Sequence, residues 1–137
     1  MRNAAMVFVA ISGCFAVVLG AFGAHYLSGK VETGVLSVKM MHAYETAVHY
    51  QLFHTLSLMG VFSLKDKFPL YNKTIGILFM LGIVLFSGSI YMLATGELTG
   101  VDFKWLGPVT PLGGLCLIAA WATLLVSVIK CKQEYKQ

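Results

Sequence analysis

Charge is scarce in this sequence. Ten residues of 137 are Lys or Arg and six are Asp or Glu, 12% together, where a soluble domain carries about a quarter. With 58% of residues hydrophobic and a mean hydropathy of +0.78, the chain has too little polar surface to cover its own core in water. An ordinary soluble globule is therefore excluded. Its three cysteines, Cys14, Cys116 and Cys131, have no zinc-ligand spacing and suggest no disulfide. The basic residues are not interleaved with aromatics, which argues against nucleic acid as a partner. Acids are too few for a hard-metal site, and "ETAVH" at residues 45–49 is neither H-E-x-x-H nor Glu-x-x-His. No serine has a base placed beside it, and "GAFGAH" follows no strand, so it is not a phosphate loop. Neither a metal nor a cofactor is expected, and no catalytic residue is assigned. No internal repeat is evident. "ISGC" at residues 11–14 resembles a lipoprotein box, but the apolar run continues past Cys14, so cleavage is not expected.

What the chain does have is long apolar runs. Residues 3–29, 46–64, 74–96 and 105–129 carry no Asp, Glu, Lys or Arg, and each is about 19 residues or longer, close to what a helix needs to cross a bilayer. The expected fold is an all-α integral membrane protein. It is one domain over residues 1–137, a four-transmembrane-helix bundle with helices near 4–27, 37–64, 74–94 and 109–129. Gly29 is expected to close the first helix and Pro69 to punctuate a turn between the second and third. Pro108 and Pro111 stand near the start of the fourth, where a missing N–H costs least.

The remaining charge sets an orientation. Arg2, Lys65, Lys67, Lys73, Lys130, Lys132 and Lys136 gather on one side; only Lys30, Lys39 and Lys104 fall on the other. The Lys/Arg excess marks the cytoplasmic side. The expectation is a multi-pass protein of the cell (inner) membrane with both termini cytoplasmic, and the lipid bilayer as its first partner. A homo-oligomer or a membrane-protein partner is compatible with the sequence.

On that depth map the polar residues converge on the extracytoplasmic half. The candidate cluster is His25, Gln51, His54, Ser87, Ser89 and Tyr91. Glu45 and His49, four apart on one helix face, would form the mouth of the second helix. His54 is about 15 Å from the end of that helix, near the midplane, and should find a partner inside the protein. Ser87, Ser89 and Tyr91 are the expected partners, with Gln51 extending the network. Small residues at helical spacing, Ser12, Ala16, Gly20 and Ala24, should let the first helix approach a neighbour closely. Gly88, Gly113 and Gly114 should do so for the third and fourth.

"LGAFGAHYL", "YQLFHTLSL", "LGIVLFSGSIYMLA" and "WLGPVTPLGG", in this order, span nearly the whole chain. Together they resemble domain-of-unknown-function family 423, the transmembrane protein 256-like small membrane proteins. The resemblance implies four transmembrane helices and a bacterial cell-membrane location, and supplies no activity. Its motifs fall on Gly20, Gly23, His25, Tyr50, Gln51, His54, Ser87, Gly88, Ser89, Tyr91, Pro111, Gly113 and Gly114.

Three function classes follow. The leading one is a structural or interaction protein whose small-residue ridges and hydrogen bonds build a rigid bundle. The second is a binding or conducting protein with a polar extracytoplasmic-side pocket for a lipid, quinone, proton or small solute. An enzyme is the weakest, for lack of a catalytic constellation.

Overall fold

A computed structural model describes residues 2–64 and 72–134 of the chain. Helix α1, Arg2–Phe22, runs through a π-helical turn at Gly23–Leu27 into the short α2, Ser28–Glu32. Then come α3, Val38–Ser63, α4, Asn72–Thr99, a 3₁₀ turn at Lys104–Leu106, and α5, Val109–Glu134. No strand occurs among the described residues. The turn expected around Pro69 lies outside them.

Successive long helices are antiparallel, and close packing follows chain order: α1 on α3, α3 on α4, α4 on α5. Three stretches are long and apolar enough to cross a membrane: Ala4–Glu32, Asn72–Thr99 and Lys104–Cys131. Helix α3 is as long as α5, 26 residues, yet is not among them. Lys39, His42, Glu45, His49, Gln51 and His54 lower its hydropathy. The outward faces are apolar: Phe15, Val17, Phe53, Ile118 and Leu125 are all exposed. In water that would be a large exposed patch; against hydrocarbon it is the expected surface.

Three helix ends run past the sequence reading: those of the first helix, of α4, and of α5, which continues beyond residue 129 to Glu134. Gly29 does not stop the first helix. The π turn adds a residue, Ser28 Oγ donates to the Ala24 carbonyl, and the chain stays helical to Glu32. The residue in the left-handed region is Gly34, φ 72°, where the Val35 and Leu36 amides close the end on the Lys30 carbonyl. Helix α4 runs past Ala94 to Thr99 and stops at Gly100, φ 74°. Thr95 and Thr99 return their hydroxyls to carbonyls one turn back, Tyr91 and Thr95, and so stay helical.

The longer α4 brings Glu97 to the start of α3. Its carboxylate accepts from the Ser37 amide at 2.9 Å and from the Ser37 hydroxyl at 3.0 Å, while Ser37 Oγ accepts from the Met40 amide. Two free donors at a helix N-terminus thus meet an acid, which also suits the helix dipole. Glu97→Ala is expected to cost about 0.5–2 kcal/mol, the range for a lost cap. Thermal unfolding in detergent checks it; a midpoint equal to wild type would show that the cap does not hold α3.

The core has two apolar parts. One, toward the chain termini, gathers Ala5, Val9, Leu58, Val61, Phe62, Ile75, Phe79, Ile83, Leu117 and Ala120. The other, at the opposite end, gathers Leu27, Leu36, Tyr44, Val48 and Ala94. Between them lies a layer of buried polar side chains: Ser12, Gln51, Thr55, Ser87 and Ser89.

Candidate functional site: a polar layer across three helix interfaces

Gln51 is the centre of this layer. Tyr91 OH donates to its Oε1 at 2.8 Å, and its Nε2 donates to the Ser12 carbonyl at 2.9 Å. Ser12 Oγ lies 2.7 Å from Thr55 Oγ1. One amide therefore ties α1, α3 and α4 together. Above it, Tyr44 OH donates to the Leu19 carbonyl at 2.9 Å, and the Tyr44 and Tyr91 rings lie 5.1 Å apart. Ser87 Oγ donates to the Ala47 carbonyl at 2.8 Å, a second tie between α4 and α3. Ser89 shares a 2.6 Å hydrogen bond with Thr110, linking α4 to α5. Among the described residues no buried side-chain nitrogen or oxygen lacks a partner.

Gln51, Ser87, Ser89 and Tyr91 thus lie in the layer, though Ser89 bonds on its own side of α4. His54 does not join them, contrary to expectation. Its Nδ1 lies 2.7 Å from the Tyr50 carbonyl, within its own helix. Gln51 and His54 are about 60° apart around a helix. That offset turns His54 away from Ser87 and Tyr91 and toward Phe79, in a groove over α4 between α3 and α5. Ser87 and Tyr91, its expected partners, are already bonded to Ala47 and Gln51.

His25 is also outside the layer. The π turn places Gly23 and Leu27 inward and leaves His25 exposed. Glu45 and His49 are both exposed and not bonded to each other; Glu45 Oε2 lies 3.3 Å from His42 Nδ1 instead. The side chain three residues back reaches the carboxylate, while the His49 ring lies against Phe53.

The small residues divide in the same way. Ser12 and Ala16 are buried, and a methyl at Gly20 would touch Val48 at 3.4 Å. A step of four drifts about 40° per interval around the helix, so Ala24 has rotated out and is exposed. Gly23 makes the close approach there, since a Cβ on it would stand 2.9 Å from the Tyr44 ring. Gly88 meets nothing within 4 Å; it borders a groove between α1 and α4 rather than a packed neighbour. Gly113 faces α4 backbone, with the Leu85 carbonyl carbon 2.8 Å from where its Cβ would be, and Gly114 is in ordinary contact with Phe86.

Several residues of the site were not singled out by the sequence. Tyr44 and Thr55 share a stripe with Gln51, at spacings of seven and four. That spacing, read through the polar letters as well as the apolar ones, would have found them. Gly76 under Phe62 and Gly82 under Leu117 carry no signal apart from their glycine.

A family described as proteins of unknown function, DUF423, matches residues 19–114 of the chain. The chain is 39% identical over 133 residues to the UPF0382 inner membrane protein YgdD of Escherichia coli (strain K12), covering 94% of this chain and 92% of that protein. It is 40% identical over 123 residues to the UPF0382 membrane protein YwdK of Bacillus subtilis (strain 168), covering 88% and 92%. A third relative, the UPF0382 membrane protein SH2409 of Staphylococcus haemolyticus, is 41% identical over 111 residues, covering 81% and 83%. No solved structure matches.

Proposed function

Because this chain belongs to the DUF423 family of membrane proteins, whose description assigns no activity, we propose a function from its geometry: a four-span structural or interaction protein of the cell (inner) membrane, with both termini cytoplasmic. The observation that carries the structural reading is the closed bookkeeping of the polar layer. Its buried groups bond to one another across helices, and none is held in reserve for a solute. A conducting or solute-binding path through that layer would need polar atoms free to exchange partners.

The fourth span is α3. At 26 residues it is about 39 Å long, enough to cross. Its inward polar groups, Gln51 and Thr55, bond to α1 and α4. Several of the others bond back to their own helix: Thr46 to the His42 carbonyl, His54 to Tyr50, Ser57 to Phe53 and Ser63 to Met59. Each such bond lowers the cost of a polar side chain in hydrocarbon. A helix too polar by composition thereby becomes tolerable between two apolar ones. The seven-to-three excess of Lys and Arg supports the orientation.

Proton flux into proteoliposomes, followed with an enclosed pH dye, tests the structural reading. Flux equal to that of protein-free liposomes is expected. A flux that Gln51→Leu abolishes would replace the structural reading with a conducting one.

A further inference from the structure

The groove that takes His54 has a chemistry of its own. It lies between α3 and α5, holds about 430 Å³, and is bordered by Tyr50, Phe53, His54, Phe86, Gly114 and Trp121 among others. The imidazole is boxed by aromatic rings: Tyr50 at 5.4 Å, Phe79 at 5.9 Å and Trp121 at 6.3 Å between centroids. Tyr50 in turn stacks on Phe86 at 4.6 Å. The ring orientation is therefore fixed by packing. It is fixed chemically as well, because the Tyr50 carbonyl can only accept, so Nδ1 must carry the proton. In the neutral ring Nε2 is then a hydrogen-bond acceptor, on the edge turned away from the helix backbone. Among the described residues no side chain donates to it.

We infer that this groove binds a lipid-soluble ring compound bearing a hydroxyl, of the hydroquinone class, which donates a hydrogen bond to His54 Nε2. Depth sets the first condition. His54 is about 15 Å from the end of α3, where water does not reach to satisfy a bare acceptor. The groove opens sideways to lipid past Phe53 and Ile118, each 66% exposed, so an occupant enters from the bilayer. Charge sets the second condition. No Lys, Arg, Asp or Glu lines the groove, so neither an anionic headgroup nor a cation finds a counter-charge. Shape sets the third, since flat aromatic walls favour a planar ring by offset or edge contact. Tyr50 and Trp121, which carry hydrogen-bond donors, also border the groove. The inference goes beyond the structural reading and shares with it only the membrane-spanning placement of α3.

The chain has two tryptophans, so Trp105→Phe leaves Trp121 as the sole indole reporter in nanodiscs of neutral lipid. Titration with 2-decyl-1,4-hydroquinone under reducing conditions should quench Trp121 saturably. Its dimethyl ether, which cannot donate, should bind at least about tenfold more weakly, and His54→Leu should lose as much. Gly88→Leu, in the groove on the other side, should bind as wild type. Quenching that never saturates, or equal affinity for the quinol and its ether, would overturn the inference. So would unchanged affinity in His54→Leu. If His54→Leu fails to fold, the comparison of quinol with ether on the wild-type residue decides alone. Failure here leaves the helix topology standing, because topology is read by labelling and not by binding.

Discussion

Gly113→Leu is expected to leave little folded protein in detergent, the largest effect of any single substitution considered. The reason is what faces Gly113. A Cβ there would collide with α4 main chain: the Phe86 amide nitrogen, and the Leu85 carbonyl carbon and Phe86 Cα at 2.8 Å each. A side chain can swing aside, but main chain in a helix cannot. The α4–α5 pair would have to separate, and with it Leu117 would lift from Gly82. Helices in lipid are held by contact and hydrogen bonds rather than by expulsion from water, so lost contact is not recovered elsewhere. Overpacking costs about 1–3 kcal/mol where side chains can yield, and more is expected where they cannot. Gly113→Ala should already lower the unfolding midpoint clearly. Gly88→Ala is the matched control: its Cβ would meet nothing within 4 Å, and alanine gains up to about 1 kcal/mol of helix propensity over glycine. Equal midpoints for the two alanine variants would show that α4 and α5 do not approach at Gly113.

The second large effect is expected from Gln51→Leu. Leucine fills the volume but strands the Tyr91 hydroxyl and removes the bond to the Ser12 carbonyl, uncoupling three helices at once. A buried group left without its partner costs about 1–3 kcal/mol. The Gln51→Leu/Tyr91→Phe pair should cost less than the two single changes summed, because the second change removes the group the first one stranded. Chemical unfolding of the four proteins measures this. Strict additivity would mean that the Gln51–Tyr91 bond contributes nothing. His54→Leu should cost less than Gln51→Leu, since its Nδ1 bond stays within α3.

These two positions also mark how far the sequence could be read. Four helical segments were legible because charge is nearly confined to their ends, and long apolar runs leave few alternatives. The ends themselves were less so. Gly29 looks like a helix stop, but Gly34, five residues on, is the one in the left-handed region, because the π turn at Gly23–Leu27 lets the chain stay helical. The polar residue types of the layer were legible, their partners were not. Whether Gln51 or His54 meets Tyr91 turns on an offset of about 60°, and no count along the chain resolves that without knowing where α4 lies. Gly113 and Gly88 look alike as letters; only the neighbour's backbone separates them. Glu97 falls beyond the helix expected near 74–94 because its charge ends an apolar run, yet that charge is what the open N-terminus of α3 attracts.

On the proposed topology α3, the most polar of the long helices, crosses the membrane because Gln51 and Thr55 are bonded inward and several other polar groups back to their own helix. Cysteine accessibility at its two ends tests this most directly. In a variant with Cys14, Cys116 and Cys131 replaced by alanine, single cysteines at Lys39 and Lys67 are treated with a membrane-impermeant maleimide in intact cells. Lys39→Cys should be labelled, and Lys67→Cys should be labelled only after permeabilisation. Labelling of both from the same side would contradict it, and would leave three spans with α3 lying outside the bilayer.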